Sequence, residues 1–213
     1  MFQTNPAAAV ALVLGFVIGI TIHEAAHAYS ALKLGDDTAY RDGRVTLNPV
    51  AHLDVLGSLM LVMAGFGWGR PTPVMTTRLK GGVFGPVMVA FAGPLSNLLI
   101  VFICAGLYLI PTFQSEYLQV IVAAVAFVNA LLFVFNLIPI PPLDGSKMIF
   151  PFLPRFMGPF VDFMNQYGPF ILLALVIGSL LLNIPVLSVL LAPVFPILYV
   201  LGLGDALSVM YGG

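Results

Sequence analysis

Three stretches of this chain, residues 81–115, 117–143 and 163–204, contain no charged side chain at all. Each is longer than the ~20 residues that a helix needs to cross a ~30 Å hydrocarbon layer. A backbone inside hydrocarbon must satisfy its own polar groups, and a helix does so. The fold class that follows is an all-α polytopic membrane protein, a helical bundle. Composition agrees, because 8% of the 213 residues are charged where a soluble domain carries roughly 25%. An ordinary soluble enzyme is thereby excluded. A net charge of −1, with no basic or acidic tail, gives no footing for nucleic acid. The single Cys104 excludes an internal disulfide.

Residues 7–30 form a first apolar span, with His23, Glu24 and His27 toward its C-terminal end. No Lys or Arg precedes it and no small-residue cleavage site follows, which predicts that it is retained rather than removed as a signal peptide. The charge is concentrated beyond it, ten of the charged residues falling between Lys33 and Lys80. Within that region TAYRDGRVTL places Asp42-Gly43 between β-prone residues, the signature of a two-residue turn, and predicts a short β-hairpin over Tyr40–Thr46. Residues 53–67 are apolar but only ~15 long, short of a crossing, and predict a re-entrant segment. Further spans follow at about Val83–Ile110 and Leu118–Ile138, then the helix-breaking stretch IPIPPLDG. Additional apolar runs cover 168–183 and 184–201. The second of these is interrupted by Pro185, Pro193 and Pro196, so the pair reads as two spans or as one span plus a broken helix.

Cytoplasmic loops collect Lys and Arg. If 53–67 returns to the side it left, all eight basic residues lie on one side, with the N-terminus outside. If it crosses, they split three against five. The charge distribution therefore favours the re-entrant arrangement.

His23-Glu24-Ala25-Ala26-His27 is an HExxH motif within a helical pattern. A four-residue offset turns ~400° on a helix, so the two imidazoles lie ~40° apart on one face. That spacing suits two ligands of one tetrahedral Zn²⁺. Glu24 stands beside them, able to take a proton from an attacking water without ligating the metal. Three ionisable groups in an apolar span are costly, and such residues point to function by default. Catalytic zinc takes a third protein ligand, and His52, Asp54, Glu116, Asp144, Asp162 and Asp205 are candidates. Of these Glu116 falls on the opposite face in the re-entrant topology, while Asp144 falls on the face of the histidines.

HEAAH in the first span, with NLIPIPPLDG following about 110 residues later, resembles the site-2 protease family of intramembrane zinc metalloproteases. LNPVAHLD, FGWGRPTPV and FAGPLSNLL resemble segments of its small prokaryotic members, without PDZ or CBS domains. The resemblance covers residues 20–150. It implies a three-helix core and one Zn²⁺ per chain, held by His23, His27 and Asp144 with Glu24 as the base. It also implies hydrolysis of a peptide bond in or next to the transmembrane segment of a single-span membrane-protein substrate, within the lipid bilayer of a prokaryotic cell. The family's usual LDGGR is LDGSK here, so Ser146 and Lys147 replace Gly and Arg.

The whole chain, 1–213, then reads as one integral-membrane metalloprotease domain, with a motif-bearing core over about 7–150 and further apolar spans over about 168–201. Asn97 and Asn136 are candidates for holding the substrate backbone or orienting the metal-site loop. Asn129 reads as a hydrogen-bonding link between helices, and His52 as a substrate-contacting or supporting residue. The GxxxG spacing of Gly15 and Gly19 marks close helix packing. An unwound substrate pairing with the edge of the Tyr40–Thr46 hairpin is a further expectation. A competing reading is a non-proteolytic metal transporter or metal sensor using the same ligands. Such a protein calls for ligands along a path across the membrane, whereas here the acidic and imidazole groups gather near one face.

Overall fold

The computed structural model describes residues 6–64, 67–113, 115–182 and 185–204. Its elements are α1 (Pro6–Lys33), α2 (Thr38–Arg41), α3 (Val55–Ala64), α4 (Phe84–Tyr108), α5 (Glu116–Asn136), α6 (Asp144–Ile149), α7 (Gly158–Leu181), α8 (Val186–Leu191) and α9 (Val194–Val200). Four of these helices are long and apolar enough to cross a membrane, α1, α4, α5 and α7.

Helix α1 runs to Lys33, three residues beyond the expected end of the span. It stops where Gly35 takes a φ of 105°, the left-handed conformation that lets a chain leave a helix. The amides of Gly35 and Asp36 then donate back to Leu32 and Ala31. The same device recurs after α2. Gly43 has φ 69°, and the amides of Gly43 and Arg44 donate to Tyr40 and Ala39.

That second cap corrects the hairpin reading. Asp42-Gly43 closes a one-turn helix instead of joining two strands, and no strand is present among the described residues. A type I′ turn and a helix C-cap both demand a glycine at positive φ. The Asp-Gly pair therefore does not distinguish them. Just ahead of the helix, the Asp36 side chain accepts from both the amide and the hydroxyl of Thr38 and turns the chain into α2. With the hairpin goes the expectation of a substrate pairing with its edge.

Helix α3 has 10 residues, about 15 Å of rise and half of a hydrocarbon layer. Asp54 caps its start, accepting from the Gly57 amide at 2.8 Å, which accounts for one of the candidate ligands. The two ends of the segment are then clasped together by an antiparallel bridge between Leu53 and Gly69. The Arg70 amide adds a hydrogen bond to the His52 carbonyl at 2.7 Å. The chain thus leaves and rejoins the bundle at one place, the geometry that a re-entrant segment calls for.

Helices α1, α4 and α5 pack into the core. Gly15 and Gly19 of α1 lie against α5, where a Cβ on Gly19 would sit 2.8 Å from Asn129 Oδ1. The apolar centre is made by small and branched residues such as Ala11, Val101, Ala124, Ala126 and Ala130. The final apolar stretch resolves as a broken helix, α8 and α9 parting at Pro193. Val194 and Leu198 of α9 are sealed into that same core. Helix α7 begins at Gly158, ten residues before the apolar run that announced it, because its polar first turns are helical too. It stands apart, its most apolar window only 11% buried.

Candidate metal centre

The HEAAH pair lies well inside α1. Counting from Lys33 at 1.5 Å per residue, His27 and His23 lie about 9 and 15 Å from the helix end. Both are buried, as are Glu24 and Asp144.

Three atoms converge there. His27 Nε2 is 3.0 Å from His23 Nε2 and 3.0 Å from Asp144 Oδ2, and His23 Nε2 is 3.2 Å from the same oxygen. Bonds of 2.0–2.1 Å to a tetrahedral zinc separate ligand atoms by about 3.3 Å, so the triangle is zinc-sized. The tautomers are set from behind. His23 Nδ1 donates to Asn97 Oδ1 at 2.7 Å, and His27 Nδ1 donates to the Val89 carbonyl at 2.7 Å. With both Nδ1 atoms carrying protons, both Nε2 atoms turn lone pairs toward a carboxylate oxygen. Three acceptors facing one another at this range require a cation between them. The residues fit zinc.

Each ligand is held by residues from neighbouring elements. Asn97 is oriented by donating to the Gly19 carbonyl at 3.2 Å and to Asn129 Oδ1 at 2.9 Å. Asn129 in turn donates to the Val125 carbonyl at 2.8 Å. A line of amides thus runs from α5 through α4 to the imidazole of α1. Gly93 brings the α4 backbone against both rings, and a Cβ there would lie 2.3 Å from His27 Nε2 and 2.7 Å from His23 Cε1. Gly145 lets the LDG turn fold under the end of α5, where a Cβ would meet the Leu137 carbonyl at 2.2 Å.

In the LDGSK sequence, Lys147 lies three residues after Asp144 and donates to its Oδ1 at 3.0 Å, leaving Oδ2 for the site. The Lys147 ammonium at that distance favours the ionised form of the carboxyl. Asp144 is therefore an anion, the form a metal needs. Ser146 closes the turn by donating to the Leu143 carbonyl.

Of the supporting residues expected from sequence, Asn97 reaches the centre. Asn136 donates to Leu132 of its own helix, and His52 is fully buried in the loop, its Nε2 donating to the Thr46 carbonyl at 2.9 Å. The sequence reading gave no role to Gly93, Val89 or Thr72, the last of which donates its amide to Glu24 Oε2 at 2.8 Å. FAGPLSN and FGWGRPTPV were legible as resembling stretches, but which of their residues face the histidines depends on how the helices register.

Comparison with known proteins agrees with this geometry. The family model described as Peptidase family M50 matches residues 111–179, the part of the chain that contains Asp144. A Bacillus subtilis (strain 168) protein named "Putative zinc metalloprotease YwhC" is 38% identical over 179 residues, covering 79% of this chain and 81% of that protein. The chain belongs to the M50 family. Proteins named "Putative zinc metalloprotease Rip2" are 32% identical over 155 residues. In Mycolicibacterium smegmatis the match covers 67% of this chain and 57% of the relative. In Mycobacterium tuberculosis it covers 68% and 58%. No solved structure matches the chain. As an M50 protein it is an integral membrane metalloprotease whose cofactor is zinc, and His23, His27 and Asp144 form the one grouping of His, Cys, Asp or Glu close enough to hold a metal among the described residues.

Proposed function

We propose that this protein is an intramembrane endopeptidase that cuts single-span membrane proteins in or next to their transmembrane segments, with His23, His27 and Asp144 as zinc ligands and Glu24 as the base. The observation that carries this reading is the position of the ligand triangle, about 9 to 15 Å down a 28-residue apolar helix. Bound there, zinc supplies a Lewis acid that polarises a carbonyl and brings the pKa of water toward ~7. Glu24 takes the proton of the attacking water and returns it to the leaving nitrogen. The imidazoles do not move protons, because their Nδ1 hydrogens are committed to Asn97 and Val89.

A cavity of about 490 Å³ lies on the flank of α1, between Ile22, Ala25, Ala26 and Tyr29 of the helix and the Val45–Leu47 stretch. Ala25 points about 160° away from both histidines, so this cavity is separate from the ligand face. The loops bearing the eight basic residues share the end of the bundle where α1 finishes and α4 begins; the bias of cytoplasmic loops toward Lys and Arg supports an orientation with that end in the cytoplasm of a prokaryotic cell and the N-terminus outside. A transport path is not supported, since no second ligand grouping continues across the described residues.

Incubation of the purified protein with a panel of single-span substrates, with mass-spectrometric mapping, tests the reading. Cleavage should fall in the cytoplasmic half of the span and vanish in Glu24→Gln. Products cut only in soluble loops would overturn it. Labelling of cysteines placed at 44 and 78 in a Cys104-free background tests orientation, both positions reacting from the cytoplasmic side; opposite-side labelling would refute it.

A further inference from the structure

The segment from Gly69 to Met75 is a strap along the flank of α1. Gly69 lies against Ile20, Thr72 against Glu24, and the Met75 amide donates to Asp36 beyond the helix end. Arg70 is pinned from both sides. Its amide donates to the His52 carbonyl, and its carbonyl accepts from the guanidinium of Arg44.

Arg44 is an unusual residue to find there, because it is 1% exposed and a buried cation is costly unless well paired. Its nearest carboxylate, Asp42, is 4.0 Å from Nη1, and both Nε and Nη1 lack hydrogen-bond partners. The hydrogen bond that the side chain does make goes to the strap. Two residues further on, the strap touches the site: the Thr72 amide donates to Glu24 Oε2 at 2.8 Å, and the Thr72 hydroxyl donates to the Glu24 carbonyl at 3.1 Å. Pro71 and Pro73 flank it. Each fixes its own φ near −65°, and Pro73 also keeps Thr72 extended, so the direction of that amide is rigidly set.

We propose that the Thr72 peptide N–H is the positioning group of the general base: the strap, anchored by Arg44 and His52, ties down Glu24 Oε2 and leaves Oε1 as the oxygen that takes the proton from water and returns it to the departing amine. The inference rests on the protease reading of the site. The balance of the reaction is unchanged, one water consumed and one C–N bond broken per proton carried.

The zinc-loaded full chain in detergent micelles is the material for the test. Thr72→Pro deletes the amide hydrogen while keeping the extended backbone that Pro73 already imposes. It should lower kcat roughly 10- to 100-fold, the range carried by one hydrogen bond to a charged group, with KM and zinc content unchanged within about twofold. Thr72→Val keeps the amide and should recover at least about a third of kcat. In a Glu24→Asp background, whose shorter side chain no longer reaches the strap, Thr72→Pro should cost less than about threefold. An equal loss in both backgrounds, or a loss of zinc, would mean that the strap is only structural and would overturn the proposal.

Hydrogen exchange gives a readout without catalysis. Because Pro71 and Pro73 have no amide, a peptide spanning 70–74 reports Thr72 with little overlap, and Glu24→Ala should raise its uptake by about one deuteron. Unchanged uptake would overturn the proposal whether or not any substrate is cut. The expected uptake in a protein that cleaves nothing would sustain the latch and overturn the protease reading instead.

Discussion

In α1, α4 and α5 the most apolar windows are 56, 50 and 61% buried within the protein, whereas that of α7 is 11% buried. All four are long enough to span a bilayer, so length does not separate them. What does is the polar content of the inward faces. Thr21, His23, Glu24 and His27 on α1, Asn97 on α4 and Asn129 on α5 are all buried, and most of them find partners on a different helix. The half of α7 beyond Phe170 offers nothing more polar than serine. Apolarity brings a helix into the membrane, and hydrogen bonds between helices select which ones pack.

The sharpest way to break this division is to ask where activity can be lost. Glu24→Gln should abolish cleavage, by about 10²–10⁴-fold, with zinc retained as read by elemental analysis, because Glu24 is not a ligand. Substitution of Phe170, exposed on α7, should leave turnover close to that of the parent. Loss of turnover there would show that the arm carries chemistry as well.

A pair of glycines tests the same contrast on metal binding. At Gly93 an added methyl would lie 2.3 Å from His27 Nε2, whereas at Gly178 of α7 nothing lies within 4 Å. Gly93→Ala should lower zinc affinity by roughly 10- to 100-fold, as disturbances of the residues around metal ligands do, while Gly178→Ala should bind zinc as the parent does. Equal affinities in competition titrations with a chelator would remove Gly93 from the site.

Stability should follow the same line with smaller effects. Asn129→Ala strips the partner from Asn97 Nδ2 and leaves a buried donor unpaired, which costs about 1–3 kcal/mol. Leu173→Ala, on an exposed position of α7, should cost less than about 0.5 kcal/mol, both measured by denaturant unfolding in micelles.

The smallest effect is in the loops. Burial opposes ionisation of Asp36, but the Thr38 hydroxyl and the amides of Met75 and Thr38 more than offset it, and its carboxyl is held below the usual 3.8. A group depressed in the folded state stabilises above its unfolded pKa, and that contribution fades as pH falls through the folded value. The thermal midpoint of the parent should therefore drop below about pH 4 more steeply than that of Asp36→Asn. Parallel curves would detach Asp36 from the stability of this loop.

The parts of the molecule legible in sequence are those that local rules dictate. Uncharged runs marked α4 and α5, the four-residue offset put His23 and His27 on one face, and the shortness of the 53–67 run marked α3 as a helix too short to cross. Asn97 was legible as a candidate, but its attachment to His23 was not, because that needs the register of α4 on α1. Thr72 reaches Glu24 across 48 residues of chain, a distance over which periodicity says nothing. Asp42-Gly43 misled for a different reason: one backbone conformation serves two kinds of turn. The start of α7 was hidden because Asp162, Asn165 and Gln166 look like loop yet continue the helix.

The line of amides from Asn129 to His23 and the bare backbone at Gly93 have a mechanical consequence. No side chain spaces α4 from the two imidazoles, so the packing of α4 on α1 bears directly on the rings that hold the ion. Zinc affinity and helix packing then form one linked equilibrium: an ion that binds tightens the bundle, and any force that spreads the bundle loosens the ion. A bilayer too thin or too thick for these spans applies such a force. Zinc retention should therefore fall in bilayers whose thickness departs furthest from these spans.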